Sequence, residues 1–358
     1  MAYSRVSTPR FFIDLPLFTR YHNLSVNLSI YDESSIQGGL LNLNPSKSNN
    51  LILGYTSSGG IAQYHYSNIT LEYYDSCWLN SVQYFAILGH KFSSLDLFGT
   101  LYYFNTDNDV RYFNRTLETV NCNVDFNSFG YGLIHPESDG WSLIRFNKLY
   151  EDLWKIRFLI GAYTGGDIEQ DFPFQLGDLS YGWTFDMPHS ADLSLKLSYQ
   201  NESIKKQTTK SGATLTSSGY TEPPYWLDKP QWMLADEDDR ISNYKGVSPS
   251  SKRVWDLSFS YIEDTDLLNE NYNGQSAKHF GVLEAAKFGA DMQQVFGIKD
   301  SFFAKVFHGT CNFKNQFIFQ PDKNVQEYAI AKIDGNSFTI QQQALNVYSV
   351  SMTIYEVF

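Results

Sequence analysis

Short stretches in which apolar and polar residues alternate recur along most of this chain. Residues 25–32, SVNLSIYD, show this alternation, which is typical of a half-buried β-strand. Residues 81–104, SVQYFAILGHKFSSLDLFGTLYYF, indicate a buried strand, a tight turn at Gly89 and His90, and a second, aromatic strand. Strands at this spacing, separated by breaks of Gly, Asn and Ser, predict a sandwich or jelly roll.

The pattern divides the chain into an arm and two β domains. Residues 1–20 are expected to form an N-terminal arm, and residues 21–165 a jelly-roll or β-sandwich domain. Residues 166–358 are expected to form a second β domain that contains a long loop, 207–251, and a short helical insertion, 281–309. A loop of that length is usually functional or held by a partner. The predicted fold class is therefore mostly β.

The composition favours a protein that contacts other proteins. Aromatic residues make up 16% of the 358 residues, and rings suit both strands and binding surfaces. Charged residues make up only 18%, below the usual share of about a quarter, which indicates a surface partly covered by other protein. The net charge of −12 argues against nucleic-acid binding, because that function needs a basic surface.

Neither membrane insertion nor export is expected. A membrane-spanning helix would need a run of about 18 apolar residues, and the sequence has none. The first residues, MAYSRVSTPRFFIDLPL, lack the charged, apolar and small regions of a secretory signal peptide. Cys77, Cys122 and Cys311 are odd in number and far apart, so they match neither a disulfide framework nor a zinc site. They are expected to be small buried apolar residues of a chain folded in a reducing cytoplasm.

Acidic residues give two weak candidates for chemistry. Asp107 and Asp109 lie in a predicted turn, where carboxylates and nearby amides could hold calcium, but turns alone favour the same residues. A second group could be a metal or glycosidase site, but consecutive loop acids point in different directions, which favours a solvated charge run. This second group comprises Asp236, Glu237, Asp238 and Asp239.

No catalytic signature is present in the sequence. His90, His135, His189 and His308 show no metal-binding spacing, and His90 is expected to bond the local backbone in a turn. A nucleophile elbow, a Walker loop and a Rossmann fingerprint are all absent, so we expect no enzyme activity and no cofactor.

An aromatic cluster in the predicted loop is a stronger candidate for a functional site than these acidic residues and histidines. It comprises Tyr220, Tyr225, Trp226 and Trp232, and prolines interrupt it. Rings on a proline-stiffened loop can stack on sugars, or they can insert into a neighbouring subunit. They can also pack on their own loop and cover the sheet. The low charge content slightly favours the contact with a neighbouring subunit.

The stretch 82–92, VQYFAILGHKF, resembles a turn found in virion structural proteins of tailed bacteriophages, where a jelly-roll strand ends in a phrase like ILGHNL. The residues that match are Ile87, Leu88, Gly89 and His90, whereas Lys91 and Phe92 depart from that phrase. Similar motifs follow in order at 210–212, 252–255, 317–322, 328–332 and 355–356. The resemblance implies that this chain is a component of the phage particle, in the tail or neck. It assigns no catalytic residue to this chain.

We therefore expect a non-enzymatic structural component of a tailed-phage virion that assembles as an oligomer. Its partners would be other copies of itself and other virion proteins, with no nucleic acid and no membrane insertion. It would fold in the host cytoplasm and end up in the virion. The alternative is a carbohydrate-binding or receptor-binding module of a tail fibre or spike, with a host surface glycan as ligand. A polysaccharide depolymerase ranks below both, because it needs a carboxylate pair in a groove.

Overall fold

A computed structural model gives the arrangement of most of the chain. It describes residues 7–21, 26–30, 41–44, 49–56, 64–73, 82–93, 95–106, 109–112, 116–126, 132–137, 140–146, 155–163, 172–193, 196–200, 204–218, 252–268 and 301–357.

Strands dominate these residues. Those before residue 150 are Arg10–Asp14 (β1), Val26–Ile30 (β2), Asn49–Thr56 (β3), Tyr64–Tyr73 (β4), Tyr84–His90 (β5), Leu97–Thr106 (β6), Asp109–Tyr112 (β7), Thr116–Val120 (β8), Cys122–Phe126 (β9), Gly132–Pro136 (β10) and Gly140–Phe146 (β11). Those after it are Lys155–Tyr163 (β12), Phe172–Leu176 (β13), Asp178–Asp186 (β14), Lys196–Gln200 (β15), Ile204–Thr208 (β16), Thr214–Ser218 (β17), Lys252–Glu263 (β18), Phe317–Gln320 (β19), Ala329–Ile333 (β20), Thr339–Ala344 (β21) and Val347–Glu356 (β22). The helices are Leu15–Tyr21 (α1), Asp264–Leu267 (α2) and a π-helix at Phe303–His308.

The described strands form two large antiparallel sheets and a small ribbon. The larger sheet has the order β15-β18-β22-β20-β19-β1-β14-β5-β11-β8, and β21 pairs with β22 beside this path. The second sheet has the order β13-β3-β4-β12-β6-β10-β9, with β2 added to β4 and β7 added to β6. The ribbon consists of β16 and β17. The prediction of a mostly β protein is confirmed, whereas the jelly-roll connection stays a prediction.

The N-terminal residues that the structure describes do not form an extended arm. β1 lies in the middle of the larger sheet, where Phe11 pairs with Phe185 of β14 on one side and with Phe319 of β19 on the other. Phe11, Phe12 and Ile13 are buried. Three consecutive apolar residues suit a strand that is buried on both faces. The expectation of an arm over residues 1–20 is therefore corrected for residues 10–20, which form β1 and most of α1.

Both large sheets contain strands from either side of residue 165, where the domain boundary was expected. β13 pairs with β3 in the second sheet, and β14 pairs with β5 in the larger one. The apolar pattern of a strand depends on neighbouring residues, whereas the strands that pair with it can lie far away in the sequence. The pattern alone could therefore not place this domain boundary. Residues 207–218, the start of the predicted loop, belong to the β16–β17 ribbon. Residues 303–308 of the predicted helical segment form the π-helix.

The main core lies between the two large sheets. The ring of Phe85 from β5 meets the ring of Phe158 from β12, with 5.1 Å between centroids. Tyr181 of β14 stacks on Phe85 at 6.3 Å. A second apolar cluster covers the opposite face of the larger sheet, where Phe12 lies edge-on to Tyr84. The larger sheet is thus buried on both faces, which explains the long apolar runs of its central strands.

The predicted strand–turn–strand unit at 81–104 is present as β5 and β6. Gly89 has a φ of 65°, a left-handed conformation that suits glycine. His90 is the last residue of β5, so the turn follows it, at residues 92–93 and 95–96, rather than at Gly89 and His90. The backbone N–H of Leu97 donates to the carbonyl of Phe92 and closes this turn at 2.8 Å.

Candidate assembly surface

A β-hairpin formed by β21 and β22 stands at the C-terminal end of the described chain. Its turn contains Leu345 and Asn346, and Asn346 has a φ of 60°, which Asn adopts more easily than most residues. β22 is anchored in the larger sheet between β18 on one side and β20 and β21 on the other. Val350, Met352 and Ile354 point from β22 into the core. The hairpin is therefore fixed through β22, and β21 is carried on its outer edge.

Every residue of β21 is exposed to solvent. Successive side chains of a strand point to opposite faces, so both faces of β21 lie outside the core. In the part of the chain that the structure describes, β21 pairs with β22 alone. An edge strand of this kind presents a row of backbone N–H and C=O groups to any strand that approaches it.

The edge of β21 lacks the charged and proline residues that normally discourage such pairing. Natural edge strands are often protected by charged side chains, especially Lys, or by Pro. Residues 335–355 contain no Asp, Glu, Lys, Arg or Pro, although the chain carries a net charge of −12. The strand is thus an uncharged edge on an acidic protein. A bulge between Gln342 and Ala344 interrupts the ladder only at the end next to the turn.

Side-chain hydrogen bonds hold one face of β21 against β22. The hydroxyl groups of Thr339 and Ser351 lie 2.5 Å apart. The Gln343 amide donates to Ser349 Oγ at 2.8 Å, and the Ser349 hydroxyl donates to the carbonyl of Gln341 at 3.3 Å. These bonds order the strand from its inner side. Its outer edge is therefore presented in a defined conformation, which lowers the entropic cost of binding.

Exposed apolar side chains flank this edge. Leu345 at the hairpin turn is 85% exposed and Ile340 is 37% exposed. Tyr261, which is 77% exposed, does not flank this edge, because it lies in a bulge of β18 on the opposite side of β22. Large apolar side chains at an exposed sheet end suit contact with another protein surface. We define the assembly surface as β21 together with Leu345.

A charged network on the larger sheet shares two residues, Arg145 and Asp186, with the lining of a cavity. Arg10 makes a two-point contact with Asp186, at 2.5 Å and 2.9 Å. Glu118 accepts from Arg10 at 3.3 Å and from Arg145 at 2.6 Å. Burial lowers the pKa of Arg10, but the hydrogen bond and charge of Asp186 outweigh it, so the net shift is upward. These cations are therefore already engaged by carboxylates of the same sheet.

The cavity itself is polar and has a volume of about 350 Å³. Its lining residues are Gln83, Arg145, Thr184, Phe185, Asp186, Pro188 and Asp266. The amide of Gln83 is oriented by the backbone N–H of Thr184, which donates to Gln83 Oε1 at 2.9 Å. Amide, carboxylate and guanidinium groups in one cavity can bind a ligand that carries several hydroxyl groups.

Two buried carboxyl groups lie on neighbouring strands. Asp14 accepts from the Ser180 hydroxyl at 2.6 Å and from the Leu17 N–H at 2.7 Å, and burial raises its pKa to about 7. Asp178 accepts from the backbone N–H groups of Asn42 and Asn44, and burial raises its pKa well above the ordinary value. Both are inside the fold rather than in a groove. Their role is to hold the start of α1 and residues 41–44 against the sheet.

The residues predicted as contacts or as acidic candidates are mostly not among those described. Tyr220, Tyr225, Trp226 and Trp232 lie outside the described residues, as do Asp107 and the acidic run 236–239. Asp109 begins β7 and pairs with Thr106 of β6. The interpretations of these residues stay predictions.

The predicted contact of His90 with the local backbone is confirmed, whereas its predicted place in a turn is wrong, because His90 ends strand β5. Its Nδ1 accepts from the backbone N–H of Phe92 at 3.4 Å, and its Nε2 lies 3.0 Å from the hydroxyl of Ser142. Cys122 and Cys311 are buried free thiols, as expected, and Cys77 lies outside the described residues. Burial raises the pKa of both thiols to about 12.

No family model, no curated protein and no solved structure matches this chain. Within the described ranges, His, Cys, Asp and Glu form no group of three or more that could hold a metal ion. Among the same residues, no helix has both the length and the apolar character needed to cross a membrane.

The sequence indicated the strand of the assembly surface but not its exposure. The pattern of residues 337–344, SFTIQQQA, predicts a strand, and β21 lies within this stretch. The sequence feature that could have indicated this surface is the stretch 335–355, which contains no charged residue and is bounded by Asp334 and Glu356. Such a stretch also suits a buried strand, so the sequence alone could not distinguish the two.

Proposed function

We propose that this protein is a non-enzymatic structural component of a tailed-bacteriophage virion, of the tail or neck, that assembles as an oligomer. The observation that carries the assembly role is β21, an ordered and uncharged edge strand exposed on both faces. The phage role rests on the resemblance at residues 82–92. Subunits of such particles must associate through defined contacts, and an exposed strand edge provides them through main-chain hydrogen bonds.

The charge distribution supports protein partners rather than nucleic acid. The chain has a net charge of −12, and a nucleic-acid backbone would be repelled by it. Arg10, Arg145 and Arg253 each bind a carboxylate within the fold, so these cations form no free basic surface. The partners would therefore be other copies of this chain and other virion proteins. Their assembly would follow folding in the host cytoplasm.

The experiment that tests this proposal is the mass of the purified chain by light scattering, with electron microscopy of the same sample. We expect an oligomer of defined symmetry whose mass is a multiple of 41.1 kDa. Antibodies against the chain should label the tail or neck of purified tailed-phage particles from the same source. A 41.1 kDa species at every concentration, together with unlabelled particles, would contradict the proposal.

The polar cavity supports a second candidate, a glycan-binding module of a tail fibre or spike. Its volume of about 350 Å³ is within the range of ligand sites and can hold a sugar ring. A screen of host surface polysaccharides should then give a ligand whose binding is weakened by Asp266→Ala, since Asp266 lines the cavity. Glu263→Ala is the matched control, because Glu263 is exposed and is not among the lining residues. Equal binding by both variants would refute the cavity as the glycan site.

A further inference from the structure

The edge of β21 has the properties of a strand that pairs with its own copy. We infer that two copies of this chain associate through antiparallel pairing of β21 with β21, around a two-fold axis perpendicular to the sheet. This inference rests on the proposed assembly role and names the partner of the same surface.

The symmetry fixes how the two strands meet. Residues directly opposite each other in antiparallel strands have side chains on the same face of the sheet. Rotation about a two-fold axis perpendicular to the sheet leaves each side chain on the same face of the sheet. Two residues that lie opposite each other are therefore an even number of positions apart, and the residue midway between them lies opposite its own copy. Gln341 and Gln342 are the two central residues of β21, and Gln341 is the one further from the bulge between Gln342 and Ala344. It is therefore the residue we place on the axis.

Glutamine suits a position opposite itself. Its side-chain amide contains both donors and an acceptor, so two copies of Gln341 can hydrogen-bond to each other. A charged residue at this position would face an equal charge and would oppose pairing. The neighbours on the strand, Ile340 and Gln342, are also uncharged. The residues that meet across the axis are therefore compatible with their own copies.

The net charge of the chain favours an uncharged contact for self-association. Each copy carries −12, so two copies repel each other unless their charges are kept apart. Exposed charges separated by more than about 10 Å are largely screened at 0.1 M salt. The stretch 335–355 carries no charge and contains all of β21 and most of β22. Copies can thus approach at this edge without placing carboxylates against each other.

Pairing would also extend an existing sheet and cover apolar side chains. β21 belongs to the larger sheet through β22, so the two larger sheets would become continuous across the axis. Ile340 and Leu345 are exposed in the single chain, and the second copy would contact and partly cover them. Interfaces that combine main-chain hydrogen bonds with apolar contacts at their ends are characteristic of strand addition.

The inference is tested by charge reversal at the axis. Gln341→Lys and Gln341→Glu each place equal charges opposite each other, and each should raise the dissociation constant of the dimer about tenfold or more. An equimolar mixture of the two variants should associate again, because Lys then lies opposite Glu. Gln341→Asn keeps an uncharged amide and should associate like the unaltered chain. Association is measured by sedimentation over a concentration series in buffer containing 0.1 M salt.

Gln207→Lys is the matched control, since Gln207 is an exposed glutamine in β16 of the separate two-stranded ribbon. This control should associate like the unaltered chain. Unchanged association of Gln341→Lys, or a mixture that stays dissociated, would overturn the pairing. An unaltered chain that remains at 41.1 kDa throughout the series would overturn it as well. The virion role is judged separately by labelling of phage particles, so failure of the pairing and failure of the proposed function are distinguishable.

Discussion

Arg253 and Glu356 form a buried ion pair whose disruption should strongly destabilise the protein. Their side chains are 4% and 2% exposed. Arg253 Nε and Nη2 donate to the two oxygens of Glu356 at 3.0 Å and 2.9 Å. Arg253 also donates to the carbonyl of Tyr328 at 2.9 Å and lies 5.1 Å from the ring of Trp255. The pair joins β18 to β22, the strand that carries the assembly surface.

The expected magnitude follows from the charge that a single substitution leaves behind. Burial lowers the pKa of Arg253, but the charge and hydrogen bond of Glu356 outweigh it, so Arg253 stays cationic. Arg253→Met removes the cation and leaves the Glu356 carboxylate buried without its partner. We expect the free energy of unfolding to fall by about 3–5 kcal/mol. Combining it with Glu356→Leu removes both charges and should recover at least about 2 kcal/mol of that loss.

Urea denaturation followed by tryptophan fluorescence measures these differences. The control is Lys196→Met, because Lys196 pairs with Asp256 at 3.8 Å while 71% exposed, and such pairs contribute about 0–1 kcal/mol. A loss below about 1 kcal/mol for Arg253→Met would refute the buried pair. If the double variant is as unstable as the single one, the loss does not come from an unpaired Glu356.

Three further predictions concern the core and the buried titratable groups. The pKa of Asp14 is raised to about 7 by burial, so the charged form opposes folding, and the free energy of unfolding should fall as pH rises from about 4 to about 7. Asp14→Asn should flatten this dependence in urea titrations at each pH. Cys122 and Cys311, whose pKa values burial raises to about 12, should resist iodoacetamide at pH 8 until the chain is denatured, as read by peptide mass spectrometry. Phe158→Ala should lower the free energy of unfolding by about 3–5 kcal/mol in urea, because this ring fills the space between the sheets.

Each of these three predictions has an experimental result that would contradict it. A pH dependence that is the same in Asp14→Asn as in the unaltered chain would show that another group titrates. Labelling of either thiol in the native protein at the rate of a free thiol would contradict its burial. A loss below about 1 kcal/mol for Phe158→Ala would contradict a tightly packed contact between the sheets.

Local patterns predicted the strands well, because alternation and apolar runs record burial residue by residue. The stretch that gives β5 and β6 illustrates this. β1 was missed because its burial depends on strands about 170 and 310 residues further along the chain. The same limit applies to β21, whose pattern gave a strand but whose exposure depends on which strands lie beside it. Asp14 and Asp178 look like ordinary strand-end acids in the sequence, and only the pairing of β1 with β14 brings them to one buried face.

The central place of β1 has a consequence for synthesis of the protein on the ribosome. This strand is made before both of its neighbours, β14 and β19. Since translation proceeds from the N-terminus, β1 has no neighbour until residue 186 has emerged, and its second edge stays open until residue 320. Contacts over such sequence separations slow folding. β1 therefore has a partner on both edges only after residue 320 has been synthesised, and until then the nascent protein can expose Phe11 and Phe12 to solvent and to chaperones.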